Sequence, residues 1–103
     1  MEYKFTKVFQ KQLKMFTQNK ISLRNSVADC IEDFINKWFW SKYYRKKLKG
    51  YEEYNIHELE SSGDFRLIIQ IVIKEDICYF INCGTHSSLW LTGKKRVSIN
   101  IKE

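Results

Sequence analysis

The sequence predicts an α+β fold: two N-terminal helices packed on one face of a small, mainly antiparallel sheet of four to five strands. Three observations carry this. Apolar residues in the first part recur at helical spacing. β-Branched runs fill the second part. The four glycines (Gly50, Gly63, Gly84, Gly93) all fall from residue 50 onward, and proline is absent. Helices followed by strands, rather than alternating with them, place the helices together against one side of an antiparallel sheet.

A short strand is expected over Tyr3 to Phe5. Thr6 is positioned to cap a first helix that carries Val8, Phe9, Leu13 and Phe16 on one side. Gln18-Asn19-Lys20 breaks it, and Ser22 is the expected cap of the second helix. Leu23, Val27, Ile31, Phe34 and Ile35 follow with gaps of 4, 4, 3 and 1, an amphipathic stripe read as core. From Lys37 to Lys49 the chain turns basic and aromatic, KWFWSKYYRKKLK. A charge run is ordinarily a solvated face. Here Lys37, Lys42, Arg45, Lys46, Lys47 and Lys49 are interleaved with Trp38, Phe39, Trp40, Tyr43 and Tyr44, which puts phosphate contact or the docking of a partner on an even footing with the solvated face.

Strands are expected next. Tyr54 to Glu60 alternates loosely, and Ser61-Ser62-Gly63 reads as a turn. Phe65 to Ile73, FRLIIQIVI, is the strongest strand pattern in the chain. Lys74-Glu75-Asp76 turns the chain into a strand over Ile77 to Cys83, which Gly84 is expected to end, and Thr85 to Leu91 has room for a helical turn. In the last segment Val97, Ile99 and Ile101 alternate with Ser98, Asn100 and Lys102, as in a further strand completing the chain's own sheet.

With 103 residues the chain is read as one domain, 1–103, of which 92–103 is a C-terminal extension; a separate cofactor domain would not fit. Hydrophobic residues at 44% and charged residues at 29% describe an ordinary globular composition. No run of about 18 apolar residues is present, and MEYKFTKVFQ has no secretory core, so a cytoplasmic protein without membrane contact is expected. The net charge of +6 points to a polyanionic partner. The cysteines are three (Cys30, Cys78, Cys83) with no CxxC pair, which argues against a disulfide framework. Cys78 and Cys83, five apart in a strand, are expected on opposite faces, so no metal site and no cofactor are expected.

Three segments carry a resemblance. Ser61-Ser62-Gly63-Asp64-Phe65-Arg66-Leu67-Ile68 resembles the "SSG-D-aromatic-R-L-I/V" start of the third strand in RelE-like toxins. Gly84-Thr85-His86-Ser87-Ser88-Leu89-Trp90 resembles the "GTH-x-x-L-aromatic" tail of their YafQ branch. Leu48-Lys49-Gly50-Tyr51 resembles the "L-x-G" element before the second strand. Each motif alone is weak; the three in the same order, over residues 2 to about 91, are fairly specific.

The resemblance implies the toxin half of a type II toxin–antitoxin pair: a ribosome-dependent endoribonuclease that cuts mRNA in the A site. The mRNA's own 2′-hydroxyl attacks the adjacent phosphate, with no metal and no small-molecule cofactor. A cognate antitoxin, the ribosome and mRNA are the implied partners. Such a reaction needs a base for the 2′-hydroxyl, a cation for the phosphate and an acid for the leaving 5′-oxygen. His86 matches the catalytic histidine, and an imidazole is a side chain suited to the role of the acid. Arg66 matches the phosphate-binding arginine. Asp64 matches an aspartate that orients a histidine or accepts a proton, although an aspartate there also suits a plain turn. Trp90 matches an aromatic that stacks on a base. Lys46 and Lys49 are expected to contact RNA, Lys46 standing where the YafQ branch has another histidine.

The second strand fits in two registers. Anchored on Tyr54, it presents Asn55 and His57 to the site. Anchored on Ser61-Ser62-Gly63, it presents Glu58 and Glu60. A one-residue slip exchanges the faces. The first register, with a bulge between His57 and Ser61, is preferred because two carboxylates suit a phosphate site poorly; His57 is then the expected general base. Two other readings are a ParE-like toxin that inhibits gyrase by binding and a non-catalytic nucleic-acid-binding module. His86 together with Arg66 favours the nuclease over the ParE-like reading, whereas the binding module would account for the basic aromatic segment without using His86.

Overall fold

The computed structural model describes residues 1–89 and 99–102. Its elements are β1 (Glu2–Phe5), α1 (Lys7–Thr17), α2 (Ile21–Lys37), β2 (Tyr44–Lys47), β3 (Ile56–Ser62), β4 (Phe65–Val72), β5 (Ile77–Thr85) and a final turn of helix, α3 (His86–Leu89). The strands form one five-stranded sheet in the order β1-β5-β4-β3-β2. β1 runs parallel to β5, and every other pairing is antiparallel. The expected α+β fold is the one observed.

Thr6 caps α1 as expected. Its hydroxyl accepts from the Phe9 amide at 3.1 Å and donates to the Phe80 carbonyl at 3.2 Å, so one side chain starts the helix and ties it to β5. Ser22 does not cap α2. The helix starts at Ile21, two residues earlier than such a cap implies, after a backbone turn in which Asn19 takes φ 60° and the Lys20 amide bonds Thr17 O at 2.9 Å. α2 ends at Trp38, whose φ of 53° is uncommon for a bulky residue; its ring packs edge-on against Phe34 at 5.2 Å.

β2 lies inside the basic aromatic segment and was not expected. An edge strand needs no apolar alternation, because one of its edges and much of its surface meet water. Tyr44–Lys47 reads YRKK for that reason, and its pairing with β3 fixes it.

The two sheet faces are filled differently. On the helix side Phe9, Val27, Cys30 and Phe34 pack on Leu59, Leu67, Ile69 and Phe80. On the opposite face, the open face, which no long helix among the described residues covers, Leu48, Ile56, Ile68, Ile81 and Leu89 form a smaller cluster to which Ile99 and Ile101 add. A bulge in β5 changes the cysteine geometry. Ile68 pairs with Asn82 but Ile69 pairs with Phe80, so Ile81 is an extra residue. Alternation resets there, and Cys78 and Cys83 both enter the helix-side core instead of opposite faces. Burial pushes all three thiols up to about 12.

Gly84 does not end β5, which continues to Thr85. A Cβ on Gly84 would lie 2.5 Å from Ser88 Oγ and 3.2 Å from Phe16 Cε2, so the glycine lets α3 fold back against the strand end and α1. Residues 99–102 are not a strand of the sheet. They cross its open face, held by the side chains of Asn82 and Gln70. Residues 92–98 and 103, the rest of the expected extension, lie outside the described residues.

Candidate active site on the open face of the sheet

Cross-strand partners share a face, so the register fixes which side chains meet. Glu60 pairs with Arg66, Lys46 pairs with Glu58, and Arg66 pairs with Gly84 on its other side. Leu67 and Ile69 point to the helices; Arg66 points the other way and meets Glu58 and Glu60. Arg66 Nε donates to Glu58 Oε2 at 2.7 Å, and its Nη1 lies 3.6 Å from Glu60 Oε2 and donates to Gly63 O at 3.1 Å. Arg45 Nε bonds the other Glu60 oxygen at 3.1 Å. Two guanidinium and two carboxylate groups therefore run in a chain across one end of the open face.

Glu58 is 3% exposed, and its Oε1 has no hydrogen-bond partner among the described residues. A buried carboxylate oxygen without a donor is costly, and such groups concentrate where a ligand or a reaction uses them.

Glu58 and Glu60 are the groups that sequence reasoning set aside. The preferred register fails because the bulge falls at Ser61, between the pairs Glu60–Arg66 and Ser62–Phe65. That leaves Ile56, Glu58 and Glu60 together on the open face and sends His57 to the helix side. The objection that two carboxylates spoil a phosphate site is met by Arg45 and Arg66 beside them. The legible signal was the Ser61-Ser62-Gly63 anchor, which gave the observed side.

His57 cannot meet Arg66 across the sheet. It is buried at 6% exposure, with its ring against Phe39 at 4.9 Å. Asn55 Nδ2 donates to Ile71 O, which turns Asn55 Oδ1 toward His57 Nε2 at 2.8 Å. That assigns the proton to Nε2 and leaves Nδ1 to accept from the Tyr44 hydroxyl at 2.9 Å. Burial, helped by the charge of Lys47, pushes the imidazole down to about 4. This is a neutral histidine serving the corner between β2, β3 and the turn after α2.

His86 opens α3 and is half-buried. Its backbone amide donates to Asp64 O at 3.0 Å, which joins it to the Gly63–Asp64 turn below Arg66. Thr85 caps the helical turn by accepting from the Ser88 amide at 3.1 Å. The exposed Asp64 thus contributes its carbonyl to holding His86. Lys46 stands exposed on the same face as Glu58, and Lys49 is exposed in the turn at Gly50. Trp90 lies outside the described residues. Among the described residues no three His, Cys, Asp or Glu side chains converge as a metal ligand set, and no helix is long and apolar enough to cross a membrane.

The fold and site define a class: an α+β protein with a helix pair on one sheet face and a cationic–acidic cluster with a histidine at one end of the other. No protein-family model matches the sequence, and no curated protein matches it. Solved structures share the fold. A metal-bound toxin from Helicobacter pylori superposes with a TM-score of 0.70 at 23% identity, over 86% of this chain and 98% of the toxin. A conserved hypothetical protein from the same organism gives a TM-score of 0.58 at 20% identity, over 84% of this chain and 96% of its own.

Proposed function

We infer that the chain, as one domain over residues 1–103, is the toxin of a type II toxin–antitoxin pair and a ribosome-dependent endoribonuclease. The reading rests on the fold it shares with the Helicobacter pylori toxin and on the RelE- and YafQ-like motifs. The observation that carries it is the Glu58–Arg66 contact of 2.7 Å, on the open face and at the sheet end where His86 is anchored.

In this reading a phosphate of the mRNA takes over Arg66 from Glu58. The freed carboxylate removes the proton of the 2′-hydroxyl, whose oxygen attacks the neighbouring phosphorus. Arg66 stabilises the charge that builds on the non-bridging oxygens. His86, protonated, gives its proton to the departing 5′-oxygen. The products are a 2′,3′-cyclic phosphate and a 5′-hydroxyl. Glu58 takes the role first expected of His57; Asp64 positions His86 through the backbone. Lys46 and Lys49 contact phosphates, and Trp90, following Leu89 in the YafQ-like motif, stacks on a base. The protein works in the cytoplasm with ribosome and mRNA as partners, and a small acidic antitoxin that meets the Lys37–Lys49 segment neutralises it.

Primer extension on mRNA after pulsed expression in a bacterium tests the assignment. His86→Ala, Arg66→Ala and Glu58→Gln are each expected to cut cleavage by at least about tenfold, since single acid–base groups contribute roughly 10²–10⁴. His57→Gln is expected to retain cleavage. Undiminished cleavage in His86→Ala would sink the mechanism; RNA binding without cleavage by the parent would leave a nucleic-acid-binding module. Because the scheme draws its groups from the protein and the substrate, cleavage is expected to survive EDTA once the ribosome's magnesium is restored.

A further inference from the structure

Two buried amides sit on the open face where apolar residues would pack more cheaply. Asn82 is 0% exposed and Gln70 is 3% exposed, beside Ile56, Ile68 and Ile81. A buried primary amide without partners is strongly unfavourable, so such residues persist where something bonds them. Here the partner is the chain's own C-terminal segment.

Gln70 treats Lys102 as a neighbouring strand would. Its Nε2 donates to Lys102 O at 2.6 Å, and its Oε1 accepts from the Lys102 amide at 2.7 Å. Asn82 Oδ1 accepts from the Asn100 amide at 2.8 Å, and its Nδ2 donates to Asn100 Oδ1 at 2.9 Å. The two bonded residues stand two apart, on either side of a tight turn in which the Ile101 amide donates to Ile99 O at 2.9 Å. Between them Ile99 and Ile101 pack into the open-face cluster, while Asn100 and Lys102 stay exposed and Lys102 Nζ sits 4.9 Å over the Tyr79 ring. The alternation read in the sequence is real, but it is satisfied against a sheet face rather than a sheet edge. Asn82 also donates to Gln12 Oε1 at 3.2 Å, and the same oxygen accepts from the Cys83 amide, so the slot is fixed from the α1 side as well.

We propose that Gln70, Asn82 and Tyr79 form a peptide-binding slot for a short segment of alternating apolar and polar residues, tightly turned at its middle and with a cation at its end, and that Ile99–Lys102 is its resident ligand. The slot reads backbone through Gln70, apolar side chains through Ile56, Ile68 and Ile81, and charge through the Tyr79 ring. It stands apart from the nuclease reading and uses none of Glu58, Arg66 or His86.

The full chain tests it by amide hydrogen exchange followed by NMR. Gln70→Met keeps the volume and removes both amide groups. It is expected to accelerate exchange of the Lys102 amide by at least about tenfold, the consequence of losing its acceptor. Lys102→Pro changes only an exposed residue and deletes that donor. It is expected to release the strap, exposing the Asn100 amide to exchange at least about tenfold faster. The opened slot then takes up a free peptide of the sequence from Val97 to Glu103, with saturable shifts of the Gln70 and Asn82 side-chain amide signals. Half-saturation belongs at about 0.1 mM or below, because a tail of millimolar effective concentration that protects at least about tenfold must bind at least about tenfold tighter than that concentration. The parent chain, its slot filled, is expected to show no such shifts. Unchanged exchange in Gln70→Met, or a strap-released chain that ignores the peptide, would overturn the proposal.

Discussion

The two faces of the sheet are built from the same strands and hold opposite chemistry. The helix face buries Leu59, Leu67, Ile69 and Phe80 under α1 and α2, and the one histidine it contains is held neutral between Tyr44 and Asn55. The open face buries groups that need partners: Glu58 against Arg66, Gln70 and Asn82 against the C-terminal strap. One face is stable because of what it excludes. The other is stable only while each polar group keeps its partner, which is where binding and catalysis can be built.

The largest expected break is on the helix side. Phe80→Ala should lower stability by about 3–5 kcal/mol, through lost transfer energy and the cavity left among Phe5, Phe9 and Phe34. Chemical denaturation measures it, and a loss under ~1 kcal/mol would mean that the helix-side core is not the main source of stability.

On the open face, Arg66→Met strands the Glu58 carboxylate and should cost roughly 2–4 kcal/mol, while adding Glu58→Leu should recover most of that loss. Both variants should lose the cleavage proposed above. Recovery of stability without recovery of activity would sharpen the contrast: the pair is kept for chemistry, not for the fold. Failure of the double variant to recover would remove it.

A pH titration separates the two faces further. The His57 imidazole sits at about 4 in the folded chain against an ordinary 6.5, so below pH 6.5 the unfolded chain takes up a proton that the folded chain refuses. Its contribution is complete above pH 6.5 and is lost as pH falls toward 4, about 3 kcal/mol in all. Denaturant midpoints for the parent and His57→Gln should converge over that window. Parallel curves would show that His57 does not titrate as its burial requires.

The smallest effect is expected at the rim. Lys46→Ala should change stability by under about 0.5 kcal/mol. It should weaken RNA binding several-fold and flatten its salt dependence, as the removal of one phosphate contact does. A salt slope equal to the parent's would take Lys46 out of the interface.

Where the sequence failed, it failed at bulges and edges. The long strand around FRLIIQIVI, the helix stripe from Leu23 to Ile35 and the Thr6 cap were legible because period and capping chemistry are local. β2 was hidden because an edge strand follows no apolar rule. The extra residues at Ser61 and Ile81 each reversed a side-chain alternation, which exchanged His57 for Glu58 at the candidate site and moved Cys83 to the same face as Cys78. The tail's alternation was read correctly and its partner was not, because period two marks an extended chain with one apolar side and does not say whether a strand edge or a sheet face receives it.

By itself, then, the sequence determined the two long helices, every strand of the sheet except β2, and the apolar stripes that close one sheet face. These follow from contacts within a few residues of one another. Tertiary structure alone decided which carboxylate stands beside Arg66, that His57 is enclosed, and that the last residues cross the open face under Gln70 and Asn82. Each of those depends on where a single extra residue enters a ladder, or on a bond between groups at least 18 positions apart in the chain, which no local pattern encodes.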